Sequence, residues 1–160
     1  MAREIERKFL VIRSAWSPDP SGGVRYRQGY LSTDPERVVR VRTAGSAAYL
    51  TVKGKTVGVE RAEFEYPIPF DDAVVLLDRL CVRPLIEKVR YREEYRGRVW
   101  EVDVFFGDNE GLIIAEVELP SADASVVLPP WVGKEVSNDP RYYNSNLAVN
   151  PYARWSRDAQ

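Results

Sequence analysis

The chain has 160 residues, of which 44% are hydrophobic and 29% charged, and its formal net charge is −1. This composition is typical of one globular domain, which we expect to span residues 1–160, and the balanced charge argues against a protein that coats nucleic acid. The absence of histidine and the presence of a single cysteine exclude histidine-based catalytic triads, Cys/His zinc sites and intrachain disulfides, so any metal must be held by oxygen ligands.

Alternation of polar and apolar residues with a period of two dominates the chain and predicts about eight β-strands. A short turn, Arg96–Arg98, joins the sixth and seventh of them as a hairpin. In chain order, the predicted strands are Glu4–Val11, Val24–Leu31, Val38–Thr43, Ala48–Lys53, Ala62–Ile68, Lys88–Tyr95, Val99–Phe105 and Leu112–Leu119.

Helices are predicted at only a few places. Apolar residues recur at helical spacing in Asp71–Cys81, and Pro84 follows that segment. A second helix is predicted for Ser121–Leu128, with Ser121 as its N-cap. The aromatic, asparagine-rich residues 131–151 are interpreted as turns and short helices. Many strands with few helices predict an α+β protein, mainly antiparallel β, built as an eight-stranded closed barrel with a charged lumen.

Seven of the predicted strands have one charged face and one apolar face. Glu4 and Glu6 share a face on the first strand, and Arg40 and Arg42 share a face on the third. A solvated outer face is the usual explanation for any single strand. Like charges two residues apart repel, however, so their repetition favours a charged lumen in which a ligand binds between them.

A lumen with both kinds of charge fits a phosphorylated ligand together with a divalent metal ion. Arginine and lysine neutralise phosphate oxygens, and carboxylates hold Mg²⁺ or Mn²⁺. Because the sequence offers no histidine and no evident serine or cysteine nucleophile, metal-assisted attack by water is the simplest chemistry.

The segment Glu4–Lys8 has the pattern ExExK at the N-terminal end of the chain, and a series of further motifs follows it in order. On these motifs the sequence resembles the CYTH superfamily, the triphosphate tunnel metalloenzymes, over nearly its whole length. The further motifs are Arg27–Leu31, Arg40–Arg42, Leu50–Lys53, Glu63–Glu65, Glu87–Tyr91, Glu101–Phe105, Ala115–Glu118, Trp131–Val136, Tyr143–Asn144 and Leu147–Ala148.

The resemblance implies a tunnel that binds triphosphate, and it implies roles for individual residues. Lys8 and Tyr30 are implied as a catalytic couple, although Tyr30 packing at the edge of the barrel is an equal alternative. The implied metal ligands are Glu4, Glu6, Glu116 and Glu118, with Asp103 and Glu63 or Glu65 for a second ion or for orienting water. The implied phosphate-binding residues are Lys8, Arg40, Arg42, Lys53, Lys88 and Arg90.

The activity that the resemblance implies is hydrolysis of inorganic tripolyphosphate, a small-molecule substrate, with Mg²⁺ or Mn²⁺ as cofactor. A nucleoside or thiamine triphosphatase, a class IV-type adenylate cyclase and a non-catalytic polyphosphate-binding module are the alternatives. The four tryptophans are expected to pack in the core or at the rim rather than to stack on a base.

No apolar run approaches the roughly 20 residues of a membrane span, and no signal-peptide stretch opens the chain. We therefore expect a cytoplasmic protein without membrane or nucleic-acid partners. A homodimer through the barrel edges near the tryptophan-rich tail is kept open.

Overall fold

The computed structural model describes residues 2–155. The strands are β1 Arg3–Val11, β2 Val24–Ser32, β3 Val38–Ala44, β4 Ala47–Lys53, β5 Glu60–Pro67, β6 Ile86–Tyr95, β7 Arg98–Phe105, β8 Ile113–Glu118 and β9 Val132–Glu135. The helices are α1 Phe70–Arg79 and α2 Asn144–Leu147, with short 3-10 turns at Arg13–Ala15, Gly107–Asn109, Pro140–Tyr142 and Tyr152–Arg154.

Strands β1 to β8 form a closed antiparallel barrel in the circular order β1-β5-β4-β3-β2-β6-β7-β8. The long strand β1 closes it, because the beginning of β1 pairs with β5 and the rest of it pairs with β8. Strand β9 lies outside this circle and pairs with the end of β1. The predicted eight-stranded antiparallel barrel is confirmed.

Many outward positions of the strands are apolar, and a large part of them is covered by other parts of the chain. Helix α1 packs Ala73 and Leu77 against Val41 of β3 and Ala48 of β4. Another apolar cluster covers β1, β7 and β8, and Trp100 is completely buried in it. Burial of these surfaces stabilises the barrel by roughly 25 cal/mol per Å² of apolar area.

The inward positions are charged through the middle of the barrel and become apolar at one end. Ile86 shares its strand face with Lys88, and Val38 shares its face with Arg40. Ile86 and Val38 belong to a buried cluster that also contains Leu147 of α2. The C-terminal segment therefore closes one end of the barrel, below the charged layer.

The helix predicted at Asp71–Cys81 is confirmed as α1. The helix predicted at Ser121–Leu128 is wrong, because the segment is a turn followed by an extended loop. The Ser121 hydroxyl donates a hydrogen bond to the Asp123 carboxylate rather than capping a helix. The segment lies between two prolines, and a proline disfavours helical conformation in the residue before it, here Leu128.

The prediction of turns and short helices for residues 131–151 holds for α2 and for the 3-10 turn at Pro140–Tyr142. The prediction missed β9 because this strand has only four residues, too few to show alternation. Among the described residues, none of the helices combines the length and the apolar character needed to cross a membrane.

Candidate active site

The inward charged side chains surround a cavity of about 160 Å³ inside the barrel. All the site residues predicted from the sequence line this cavity, with the exception of Asp103. The lining residues are Glu4, Glu6, Lys8, Tyr30, Val38, Arg40, Arg42, Lys53, Arg61, Glu63, Glu65, Lys88, Arg90, Glu101, Glu116, Glu118, Asn144 and Ser145.

Strand order divides the lumen into an acidic half and a basic half. The acidic half consists of β5, β1, β8 and β7, which are consecutive around the barrel and carry the inward glutamates. The basic half consists of β4, β3, β2 and β6, which carry most of the inward lysines and arginines. A ligand in the cavity is therefore exposed to carboxylates on one side and to cations on the other.

In the acidic half, carboxylates crowd around Glu6. Glu6 lies directly opposite Glu118 in the pairing of β1 with β8. Burial raises the pKa of Glu6 to about 8, and the nearby charges of Glu116 and Glu4 add to the effect. Burial and a hydrogen bond with Glu4 raise the pKa of Glu63 to about 7. These carboxylates repel one another, and a cation placed between them would relieve that repulsion.

The donor set of the acidic half fits a hard divalent cation, since it consists of carboxylate oxygens that line one side of the cavity. Among residues 2–155, no three acidic side chains already converge as a metal site. Several of them are paired with lysine instead: Glu4 contacts Lys53 at 2.9 Å, and Glu116 contacts Lys8 at 3.3 Å. An ion would replace these internal partners.

In the basic half, Lys53 and Arg40 form ion pairs with glutamates of β5, the neighbouring strand of the acidic half. Lys53 Nζ also contacts Glu63 at 3.2 Å. Arg40 Nη2 donates to Glu65 at 3.2 Å and to Thr51 at 3.1 Å. The Nε of Arg40 is buried with no hydrogen-bond partner among the described residues. A buried donor without a hydrogen-bond partner lowers the stability of the folded state, and an anionic ligand oxygen would supply the missing acceptor.

Asp103 lies behind the cavity rather than on its wall. Its Oδ1 accepts from Arg90 Nε at 2.7 Å, and its Oδ2 accepts from Arg90 Nη2 at 2.9 Å. The same Oδ2 contacts Lys88 Nζ at 2.8 Å, and Asp103 is 0% exposed. Both oxygens are engaged by cations, so Asp103 serves as their counter-ion in this structure, and its expected role at a second ion or in orienting water stays a prediction.

Lys8 and Tyr30 line the same cavity but have different partners. Lys8 Nζ contacts Glu116 and donates to the carbonyl of Tyr142 at 3.5 Å. The Tyr30 hydroxyl accepts a hydrogen bond from Gln28 at 3.0 Å. The couple expected from the sequence is therefore not formed in this structure.

Four polar lining residues are not among the predicted site residues: Arg61, Glu101, Asn144 and Ser145. Arg61 shares a strand face with Glu63 and donates to Glu4 at 3.3 Å, so alternation along β5 was a sufficient signal for it. Asn144 and Ser145 come from α2, outside the barrel strands. Asn144 Oδ1 accepts from Lys88 Nζ at 2.9 Å, a contact that no spacing along the chain reveals.

The tryptophans pack away from the cavity, as expected. Trp100 and Trp131 meet edge to face at 5.8 Å beside the outer wall, and Trp16 lies in the same cluster. Trp155 packs against Tyr142 in the closed end. Among residues 2–155, Tyr30 is the only aromatic side chain that lines this cavity.

The raised pKa values of Glu6 and Glu63 predict how the stability of the metal-free protein depends on pH. Both carboxyls hold their protons when folded and lose them near pH 4.5 when unfolded, so the folded state binds more protons between these values. The free energy of unfolding should therefore fall as the pH rises from 5 to 7. With no histidine in the chain, no ordinary side-chain pKa lies in this window, and Lys88, whose pKa burial lowers to about 7, opposes the decrease only at the upper end.

Thermal unfolding in EDTA at pH 5, 6 and 7 measures this dependence, and the variant Glu6→Gln is the control. The Glu6→Gln protein should show a smaller decrease, because glutamine does not titrate. A wild-type melting temperature that stays constant or rises from pH 5 to pH 7 would contradict the prediction.

Comparison with known proteins agrees with this geometry. The family model described as the CYTH domain matches residues 2–145. An inorganic triphosphatase from Acetivibrio thermocellus is 51% identical over 152 residues, which is 95% of this chain and 97% of the relative. An inorganic triphosphatase from Nitrosomonas europaea is 39% identical over 92% of this chain and 97% of the relative. A crystal structure of an inorganic triphosphatase has a TM-score of 0.64 at 38% identity, covering 91% of this chain and 97% of that one.

Proposed function

The chain belongs to the CYTH domain family, and from this premise we propose that it is a metal-dependent inorganic triphosphatase that hydrolyses tripolyphosphate to pyrophosphate and phosphate. The observation that carries the proposal is the division of the lumen into an acidic and a basic half around one cavity. The relatives in Acetivibrio thermocellus and Nitrosomonas europaea, which cover nearly the whole chain, are inorganic triphosphatases.

The basic half binds the substrate in this proposal. Arg40, Arg42, Lys53, Lys88 and Arg90 neutralise the phosphate oxygens, and Lys8 acts at the border between the halves. Arginine can hold a phosphate group with two parallel hydrogen bonds, which fixes its orientation as well as its position. Positioning together with charge neutralisation is the main contribution that proteins make to phosphoryl transfer.

The acidic half holds Mg²⁺ or Mn²⁺ in this proposal, through Glu4, Glu6, Glu116 and Glu118. A bound ion supplies Lewis-acid polarisation of a phosphoryl oxygen and activation of water. An ion held by these carboxylates would replace Lys8 and Lys53 as their partners, and the two lysines would then be free to contact phosphate.

Glu63 is the residue that we assign to accept the proton of the attacking water. Glu63 lines the cavity and contacts Lys53 Nζ at 3.2 Å, so its carboxylate lies beside the cations that bind the substrate in this proposal. The water oxygen forms the new bond to a terminal phosphorus, the bridging P–O bond breaks, and pyrophosphate leaves.

The experiment that tests the proposal measures the products formed from tripolyphosphate, ATP, thiamine triphosphate and pyrophosphate, each with Mg²⁺, Mn²⁺ or EDTA. We expect metal-dependent release of phosphate and pyrophosphate from tripolyphosphate, with ATP slower. Preference for ATP or thiamine triphosphate, or formation of cyclic AMP, would assign a different substrate to the same tunnel. Binding of tripolyphosphate without turnover under any condition would indicate a binding module.

A further inference from the structure

Arg42 differs from the other cations of the lumen in how it is held. Lys8, Arg40, Lys53, Lys88 and Arg90 all contact a carboxylate. Arg42 forms no ion pair with any residue in the described part of the chain. Its Nε donates to the neutral side-chain oxygen of Gln28 at 2.9 Å. The charge of Arg42 is therefore the one least compensated by protein groups.

The aromatic ring of Tyr26 lies against the same guanidinium. The ring centroid is 4.9 Å from the Cζ of Arg42 and 4.9 Å from the Cζ of Arg90. Lys88 Nζ lies 6.0 Å from the centroid, and Lys88 is the residue paired with Tyr26 across β2 and β6. One half-buried ring thus contacts three of the cations assigned to phosphate binding, although it does not line the cavity itself.

Arg42 lies in an unfavourable electrostatic environment, because neighbouring cations repel its charge. Burial and the charges of Arg40 and Arg90 lower the pKa of Arg42 to about 10. A carboxylate beside Arg42 would relieve the repulsion, but it would also compete with phosphate for the guanidinium. An aromatic ring attracts cations through its quadrupole and has no net charge, so it holds the guanidinium groups without neutralising them.

We propose that Tyr26 is a positioning residue that keeps Arg42 and Arg90 in place for a terminal, unesterified phosphate group of the substrate. Gln28 holds Arg42 by a hydrogen bond, and the face of the Tyr26 ring holds the same guanidinium by a cation–π contact. The charge of Arg42, which no carboxylate of the described residues pairs with, suits a terminal phosphate better than a bridging one, because a terminal phosphate carries more negative charge. This inference rests on the proposed function and names the part of the substrate that the cluster recognises.

The test compares Tyr26→Leu, which removes the ring, with Tyr26→Phe, which retains it. For tripolyphosphate with Mg²⁺, the Tyr26→Leu variant should show a KM about tenfold higher, because the cation–π contacts of the ring are lost, with kcat changed less than about twofold. The Tyr26→Phe variant should match the wild type. Tyr95→Leu is the control, since Tyr95 makes a cation–π contact with Arg96 at the hairpin turn, outside the lumen.

Calorimetric binding of tripolyphosphate in EDTA gives a readout that does not depend on turnover. Tyr26→Leu should weaken this binding by the same factor of about ten. Cyclic trimetaphosphate has no terminal phosphate group, so its binding should change little. Because these titrations need no catalysis, a wild type that binds tripolyphosphate without hydrolysing it would refute the proposed function and still leave the role of Tyr26 measurable.

Three results would overturn the inference: an unchanged KM in Tyr26→Leu, a loss in Tyr26→Phe as large as in Tyr26→Leu, or equal losses for tripolyphosphate and trimetaphosphate. Circular dichroism and thermal melting establish that each variant is folded. If Tyr26→Leu does not fold, Tyr26→Met takes its place, because methionine fills a similar space with a flexible side chain and lacks an aromatic ring.

Discussion

Replacing Glu6 with glutamine is expected to lower metal-dependent tripolyphosphate turnover at least about 100-fold while the protein stays folded. Glu6 lies in the middle of the carboxylate cluster, opposite Glu118 and close to Glu116. Glutamine keeps the shape of the side chain and removes the charge that a divalent cation requires. Activity falls because the acidic half then has one anionic oxygen donor group fewer.

The stability of the Glu6→Gln variant separates this explanation from simple misfolding. Because the pKa of Glu6 is raised to about 8, the metal-free protein holds this carboxyl largely neutral at pH 7. A neutral glutamine should therefore leave the free energy of unfolding unchanged or slightly higher in EDTA. Added Mn²⁺ should raise the melting temperature of the wild type and raise that of the variant much less.

The matched control is Glu94→Gln, which changes an exposed glutamate of β6 in the same way. It should retain wild-type turnover and wild-type stabilisation by Mn²⁺. Turnover of Glu6→Gln within about threefold of the wild type would remove Glu6 from the metal site and leave the assignment of the acidic half without its central residue.

Replacing Asp103 with asparagine is expected to destabilise the protein by about 3 to 5 kcal/mol, because it leaves buried cations without their counter-ion. Asp103 is fully buried and accepts from both Arg90 and Lys88. In asparagine, one of these oxygens becomes an NH₂ donor that faces other donors. For a protein of this size, the melting temperature should fall by roughly 6 to 20 °C.

This measurement is made in EDTA, so that loss of a metal ligand cannot account for the result. The control Asp78→Asn removes a carboxylate that contacts Arg27 at 3.5 Å on the surface, where the Asp78 side chain is 51% exposed. An exposed pair of this kind is worth about 1 kcal/mol or less. A melting temperature for Asp103→Asn close to that of Asp78→Asn would contradict the counter-ion role.

The position of Asp103 relative to the cavity could not be predicted from the sequence. Alternation correctly assigns Glu101 and Asp103 to one face of β7, because successive side chains of a strand point to opposite sides. Their depths within the barrel depend on the register with neighbouring strands. Glu101 reaches the cavity wall, whereas Asp103 pairs with Arg90 across β6 and β7 and lies behind it. The register is set by tertiary pairing, and the spacing along one strand does not contain it.

The barrel itself could be predicted because its strands are long and strongly alternating. Repetition of like charges on a single face, as at Arg40 and Arg42, also indicated that these faces enclose a ligand. The tail could not be predicted in the same way. Asn144 reaches Lys88 and Gln28 from a helix of four residues, and such a contact between distant segments leaves no periodic signal.

The most direct test of the central claim is anomalous diffraction from crystals grown with Mn²⁺ and imidotriphosphate, a triphosphate with nitrogen bridges that resists hydrolysis. The two-sided lumen predicts Mn²⁺ against Glu6 and its neighbouring carboxylates, with the phosphate chain against Arg42 and Arg90 on the opposite wall. The claim would be contradicted if the anomalous density and the triphosphate lay outside the barrel while the ion pairs inside the lumen remained intact.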